Sequence, residues 1–196
     1  MPEIRSVCVY CGSSPGAAPE YADAARAVGR GLAERGLRLV YGGGQVGLMG
    51  VVADACIDAG GQVTGVIPDF LHRREIAHGR VPDMRIVSSM HERKQIMADE
   101  ADAFLALPGG IGTMEELFEV WTWSQLGRHL KPVAVLNVKG YYDGLLAFLD
   151  RMAEEDFIKP HHRAMLVSNG GFDEVLAKLQ AWEHPGVIDS LRPEQV

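Results

Sequence analysis

Two stretches of this sequence combine glycine with residues able to do chemistry. Leu39-Val40-Tyr41 runs into Gly42-Gly43-Gly44-Gln45-Val46-Gly47-Leu48-Met49-Gly50, and Ala103 to Leu107 runs into Pro108-Gly109-Gly110-Ile111-Gly112-Thr113-Met114-Glu115-Glu116. A glycine backbone turns tightly and lets a ligand approach closely. A helix opening just after such a turn offers unpaired N–H groups to a phosphate. The second stretch adds two carboxylates, so an anion site and an acid or base could share one loop. Cations come from Ser88-Ser89-Met90-His91-Glu92-Arg93-Lys94. Ser89 and Glu92 fit a capping box, which puts Arg93 and Lys94 at the fourth and fifth helical positions. Cations there meet the positive end of the helix dipole, and a pair set against local electrostatics is a candidate for function. An arginine fork matches phosphate or carboxylate oxygens, and lysine acts as a point charge. Glu75, in Leu71-His72-Arg73-Arg74-Glu75, could hydrogen-bond ribose hydroxyls.

The same residues have plainer readings. Thr113 to Glu116 matches Thr-x-x-Glu, with Thr113 as N-cap and Glu116 at the third position. Acids there favour the helix dipole by about 0.3–1 kcal/mol. Arg93 and Lys94 are equally readable as a solvated basic patch, and Glu75 as a surface-loop acid. Gly42, Gly44 and Gly47 satisfy G-x-G-x-x-G with Asp69 about 20 residues on, the pattern of a dinucleotide site. No Lys-Ser/Thr pair follows that loop, so a Walker phosphate loop does not fit. Cys8 and Cys11 form a C-x-x-C without a second ligand pair, and Cys56 lies on an apolar helix face. His161-His162 follows Pro160 in a loop and reads as surface. The lysines offer no context for a pyridoxal cofactor.

Composition narrows the class. A chain of 196 residues, 47% hydrophobic and 23% charged, is long enough for one globular domain with a substantial core. Its net charge of −7 argues against nucleic acid as a partner, which would need a basic footprint. The first residues, MPEIRSVCVYCGSS, lack the features of a signal peptide. No run approaches the roughly 18 apolar residues needed to span a membrane. With three cysteines besides, the expected location is the cytosol.

The elements that must position these residues follow from periodicity. Short apolar runs at Ser6–Tyr10, Arg38–Tyr41, Gln62–Ile67, Met84–Val87, Ala103–Leu107 and Val133–Val138 predict strands, with a weaker seventh at Ala164–Val167. Helical patterns fall at Glu20–Arg35, Leu48–Ala59, Met90–Glu100, Met114–Leu126, Tyr142–Glu155 and Phe172–Trp182. Continuous apolar strands imply burial on both faces, and strand–helix alternation implies a mostly parallel sheet of about seven strands flanked by helices. One α/β domain over residues 1–184 is expected, with residues 185–196 as a surface tail. Ligands in such a fold gather where strands end and helices begin, here Gly12–Pro15, Gly42–Gly47, Pro68–Glu75 and Pro108–Thr113.

The pairing of Gly-Gly-Gly-Gln-Val-Gly-Leu-Met-Gly with Pro-Gly-Gly-Ile-Gly-Thr-Met-Glu-Glu resembles the LONELY GUY (LOG) family of cytokinin riboside 5′-monophosphate phosphoribohydrolases, long misnamed lysine decarboxylases. Ser-Met-His-Glu-Arg-Lys and Trp123-Ser124-Gln125-Leu126-Gly127 belong to the resemblance, which runs from about Ser6 to Trp182. It implies a modified Rossmann fold, a homodimer, and a nucleoside 5′-monophosphate as substrate, with no metal or cofactor. It implies Arg93 and Glu116 as the catalytic pair. Glu75, Lys94, Gly109, Gly110, Ile111, Gly112, Thr113, Met114, Glu115 and Thr122 would line the nucleotide site, with Gly43 and Gly44 from the first glycine loop. Trp121, Trp123 and Leu126 offer a dimer contact or core. Glu116, ionised by its place in the first helical turn, would stabilise charge developing on ribose. A non-catalytic nucleotide or molybdenum-cofactor carrier is the other reading to weigh.

Overall fold

The computed structural model describes residues 3–73 and 77–185. Seven strands form one sheet: β1 (Ser6–Tyr10), β2 (Arg38–Tyr41), β3 (Val63–Pro68), β4 (Asp83–Val87), β5 (Ala103–Ala106), β6 (Val133–Leu136) and β7 (Leu166–Asn169). Their order is β4-β3-β2-β1-β5-β6-β7 and every pairing is parallel. The helices are α1 (Pro19–Glu34), α2 (Gly47–Asp58), α3 (Asp69–His72), α4 (Met90–Glu100), α5 (Ile111–Gln125), α6 (Asp143–Glu154), α7 (Pro160–Arg163) and α8 (Phe172–Gln180).

Alternating strand residues feed two cores. Val7, Val9, Leu39, Tyr41 and Leu105 pack with α1, α2 and α8 on one face. Cys8, Tyr10, Val40, Phe104 and Ala106 pack with α4, α5 and α6 on the other. That two-sided burial is why β1, β3, β5 and β6 read as unbroken apolar runs. The edge strand β4 instead carries Asp83 and Arg85, which discourage pairing with another chain.

The chain runs outward from β1 to β4, then returns to place β5 against the other side of β1. Their adjacent carboxyl ends form the topological switch point, where open α/β sheets bind ligands. Hydrogen bonds from Gly12 N to Pro108 O (3.1 Å) and from Leu48 N to Gly12 O (2.9 Å) tie the loops after β1, β2 and β5 together there. The expected weak strand at Ala164–Val167 forms two residues later, because Pro160 opens the short helix α7 in front of it.

Candidate active site

Local capping aims the cations of α4. The Ser89 hydroxyl accepts the Glu92 N–H at 3.1 Å, and the Glu92 carboxylate accepts Ser88 N–H (2.8 Å) and hydroxyl (2.7 Å). With the first turn fixed, Arg93 and Lys94 point inward and are buried, unlike a solvated patch. Arg93 donates from Nη1 to Glu116 Oε1 at 2.9 Å and from Nε to Val66 O at 3.2 Å. Its second Nη fills the space beside Gly42, where a Cβ would stand 1.9 Å away. Gly42 therefore serves the arginine rather than a ligand, and the G-x-G-x-x-G pattern sits after β2 instead of at the β1 switch point. Both facts disfavour the dinucleotide reading. Asp69, its required acid, pairs with Arg73 at 2.8 Å.

Glu116 is buried with Arg93, yet not for the reason its sequence context suggests. Helix α5 starts at Ile111 with Gly110 as N-cap, and no side chain caps it. Thr113 is thus the third helical residue and Glu116 the sixth, beyond the first turn. The Thr-x-x-Glu box does not form because Arg93 takes the Glu116 carboxylate, and Thr113 Oγ1 packs where a Cβ on Gly109 would lie 2.1 Å away. The helix dipole consequently does not hold Glu116 ionised. Burial pushes its carboxyl above the ordinary glutamate value, and the Arg93 charge opposes that rise.

The other expected site residues divide. Gly109 and Gly110 form the turn into α5, and nothing lies within 4 Å of a Cβ built on Gly110 or Gly112. The N–H groups from Gly110 to Thr113 precede the first helical hydrogen bond, Met114 N to Gly110 O at 3.2 Å. Ile111 is 90% exposed, whereas Met114 packs partly into the core. Lys94 does not face these amides; it bonds Glu115 and, at 3.0 Å, Glu119 on the outer side of α5. Burial pulls its ammonium down, but those two carboxylates outweigh it and raise the pKa. Thr122 is exposed on the same helical face as Glu115 and Glu119. Gly43 accepts His78 N–H at 2.9 Å and Gly44 bridges Ala77. Glu75 lies outside the described residues.

A cleft of about 280 Å³ opens at the switch point, lined by Gly12 to Gly16, Tyr21, Leu48, Pro108 to Gly110 and Tyr141. A larger concavity, about 1100 Å³, lies at the opposite end of the strands. Charged groups at that end are already joined, as in Arg38–Glu100 at 2.7 Å and Arg85–Glu100 at 2.6 Å, so the smaller cleft is the better ligand site. Tyr21 and Tyr141 were not foreseen as site residues; the only signal was the position of Gly140-Tyr141-Tyr142 just beyond a strand end. Cys8 and Cys11 face opposite cores, and burial raises both thiols, so their spacing is a matter of packing. Trp121 is buried, Trp123 lies half-buried under the Arg128 guanidinium at 4.2 Å, and Leu126 is 62% exposed. No helix among the described residues is long and apolar enough to cross a membrane.

A family model described as "possible lysine decarboxylase" matches residues 49–179. A probable cytokinin riboside 5′-monophosphate phosphoribohydrolase of Oryza sativa subsp. japonica is 51% identical over 93% of this chain and 74% of its own length. A cytokinin riboside 5′-monophosphate phosphoribohydrolase of Arabidopsis thaliana is 50% identical over 92% of this chain and 83% of its own. In architecture the chain is similar to the molybdenum cofactor carrier protein of Chlamydomonas reinhardtii, with a TM-score of 0.67 at 19% identity, covering 92% of this chain and 100% of that one. That last likeness is one of fold alone. With the paired motifs, the buried arginine–glutamate contact and relatives at half identity over nine-tenths of its length, the chain belongs to the LONELY GUY (LOG) family.

Proposed function

We propose that the protein hydrolyses the N-glycosidic bond of adenosine 5′-monophosphates, N6-modified ones included, releasing the free base and ribose 5-phosphate. The observation that carries this is the buried Arg93–Glu116 pair, 2.9 Å apart, which joins α4 to α5, the helix whose first amides open beside the switch-point cleft. The 5′-phosphate takes the amides between Gly110 and Thr113, supported by Gly43 and Gly44 of the neighbouring loop. Holding the phosphate fixes ribose relative to the carboxylate. The bond from C1′ to the base nitrogen breaks with its electron pair going to the base, which takes up a proton. Positive charge on ribose is stabilised by ionised Glu116, which also accepts a proton from the water adding its oxygen to C1′. Arg93 keeps that carboxylate ionised and oriented. Lys94 from α4, with Glu115 and Thr122 from the outer face of α5, is assigned to the edge of the site, and Glu75 to the ribose hydroxyls.

The same reading includes one nucleotide-binding domain over residues 1–184, a cytosolic location supported by three free buried cysteines, and a homodimer. The exposed Ile111 on α5 and Leu126 just past its end support the last, while Trp121 serves its own core. Incubation with AMP and with isopentenyladenosine monophosphate, followed by chromatography, tests the activity. Free base is expected from at least one. Dephosphorylated nucleoside would mean the wrong bond was assigned, and saturable binding without turnover would favour a carrier.

A further inference from the structure

We propose that Tyr141 is a positioning residue that holds the Gly109–Gly110 peptide with its N–H, rather than its carbonyl, toward the anion. The loop after β6 is shaped for this. Lys139 (φ 54°) and Gly140 (φ 72°) are both left-handed, and the turn they make sends two consecutive tyrosines toward the loop after β5. Tyr142 is buried and donates its hydroxyl to Leu107 O at 2.6 Å. Tyr141 stays at the cleft, 44% exposed, and donates its hydroxyl to Gly109 O at 2.5 Å. The two rings meet edge to face at 5.0 Å, and Tyr21 braces Tyr141 from α1 at 5.8 Å.

The consequence shows in the carbonyls. Leu107 O takes Tyr142, Pro108 O takes Gly12 N–H at 3.1 Å, Gly109 O takes Tyr141, and Gly110 O takes Met114 N–H at 3.2 Å. Four consecutive carbonyls are thus drawn away, and the amides of this stretch are what remains for a ligand. A carbonyl turned toward a phosphate would repel it. Three of these four are held by buried or backbone donors. The Gly109–Gly110 plane is held by one phenol alone, between two residues without Cβ atoms to resist its rotation. Tyr141 is therefore the point at which the anion site can lose its polarity without any loss of fold.

This rests on the phosphoribohydrolase reading of the site, but its test separates the two. Inorganic phosphate is titrated calorimetrically into wild type and Tyr141→Phe, and AMP hydrolysis is measured alongside. Tyr141→Phe keeps the ring packing and should raise the phosphate Kd and the KM for AMP together, about five- to tenfold, the weight of one ordinary hydrogen bond. The kcat should stay within about twofold, because the Arg93–Glu116 pair is untouched. Glu20→Gln, which breaks the 2.6 Å ion pair from Lys139 on the same loop, should leave both constants unchanged. The inference is overturned by an unchanged phosphate Kd in Tyr141→Phe, by a fall in kcat without a rise in KM, by an equal effect of Glu20→Gln, or by wild type that binds no phosphate. If wild type binds phosphate in a Tyr141-dependent way yet releases no base, the inference stands and the proposed reaction falls.

Discussion

Glu116 is a carboxylate whose protonation is decided by two neighbours acting in opposite directions. Burial raises its pKa above 4.5 and Arg93 restrains the rise. In the proposed reaction the ionised form is the one that works, so activity should disappear as pH falls through a value above that of an ordinary glutamate. The acidic limb of kcat/KM should accordingly lie above pH 4.5. Removing the guanidinium in Arg93→Ala should move the limb further up, since the restraining charge is gone, and lower the plateau by about a hundredfold. A limb that moves down would show that Arg93 does not act through Glu116. Glu116→Gln should lose about 10²–10⁴-fold in kcat at pH above that limb while still binding AMP; undiminished turnover would remove Glu116 from the mechanism. Sequence showed these residue types and their family roles, but not their contact. Nothing in a run of helical residues tells that Arg93 points inward to meet a carboxylate 23 positions later.

At the scale of elements, what was legible depended on whether the deciding interaction was local. The Ser89 cap of α4 was readable because Ser88, Ser89 and Glu92 settle it among themselves. The start of α5 was misread for the converse reason: the Thr-x-x-Glu pattern is local, but Arg93 and Gly109 claim its two side chains from outside. All six stronger strands formed where their apolar runs placed them, to within two residues at their ends, and for the inner strands this is because two-sided burial writes itself into composition. The Tyr141–Gly109 contact could not be seen, since it joins loops 32 residues apart. Gly42 belongs to this scale too, because it lets an arginine from α4 cross the end of β2. In Gly42→Ala the new methyl would stand 1.9 Å from Arg93 Nη2, so the guanidinium must move. Hydrolysis should fall by at least about tenfold, from loss of alignment with Glu116, with the melting temperature lowered only modestly. A variant of full activity would show that Arg93 does not need its present place.

Across the whole molecule, the carboxyl ends of the strands carry the proposed chemistry, and the far end of α5 carries a set of histidines that makes stability depend on pH. The His129 ring packs on Phe104 at 5.1 Å, and its Nδ1 accepts Lys131 N–H at 3.2 Å. Burial lowers its pKa to about 4, against a backbone hydrogen bond to Val120 and with smaller help from the charges of Lys131, His184 and Arg128. His162 is lowered as well, by burial and then by His161 and His184. A base whose folded pKa lies below its unfolded value near 6.5 contributes full stability above 6.5, and loses it as pH falls toward the folded value. For His129 the loss by pH 4 is at most about 3 kcal/mol. The acids with lowered pKa, Glu20, Asp83, Glu92 and Glu100, are destabilising on protonation only near and below the ordinary values of 3.8 for aspartate and 4.5 for glutamate. Glu116, with its raised value, works in the opposite sense. The decline between about pH 6.5 and 5 therefore belongs to the histidines. Urea unfolding across that range should show a fall in stability that is visibly shallower in His129→Asn, whose amide oxygen can still accept the Lys131 N–H. An identical slope in the variant would assign the decline to other groups.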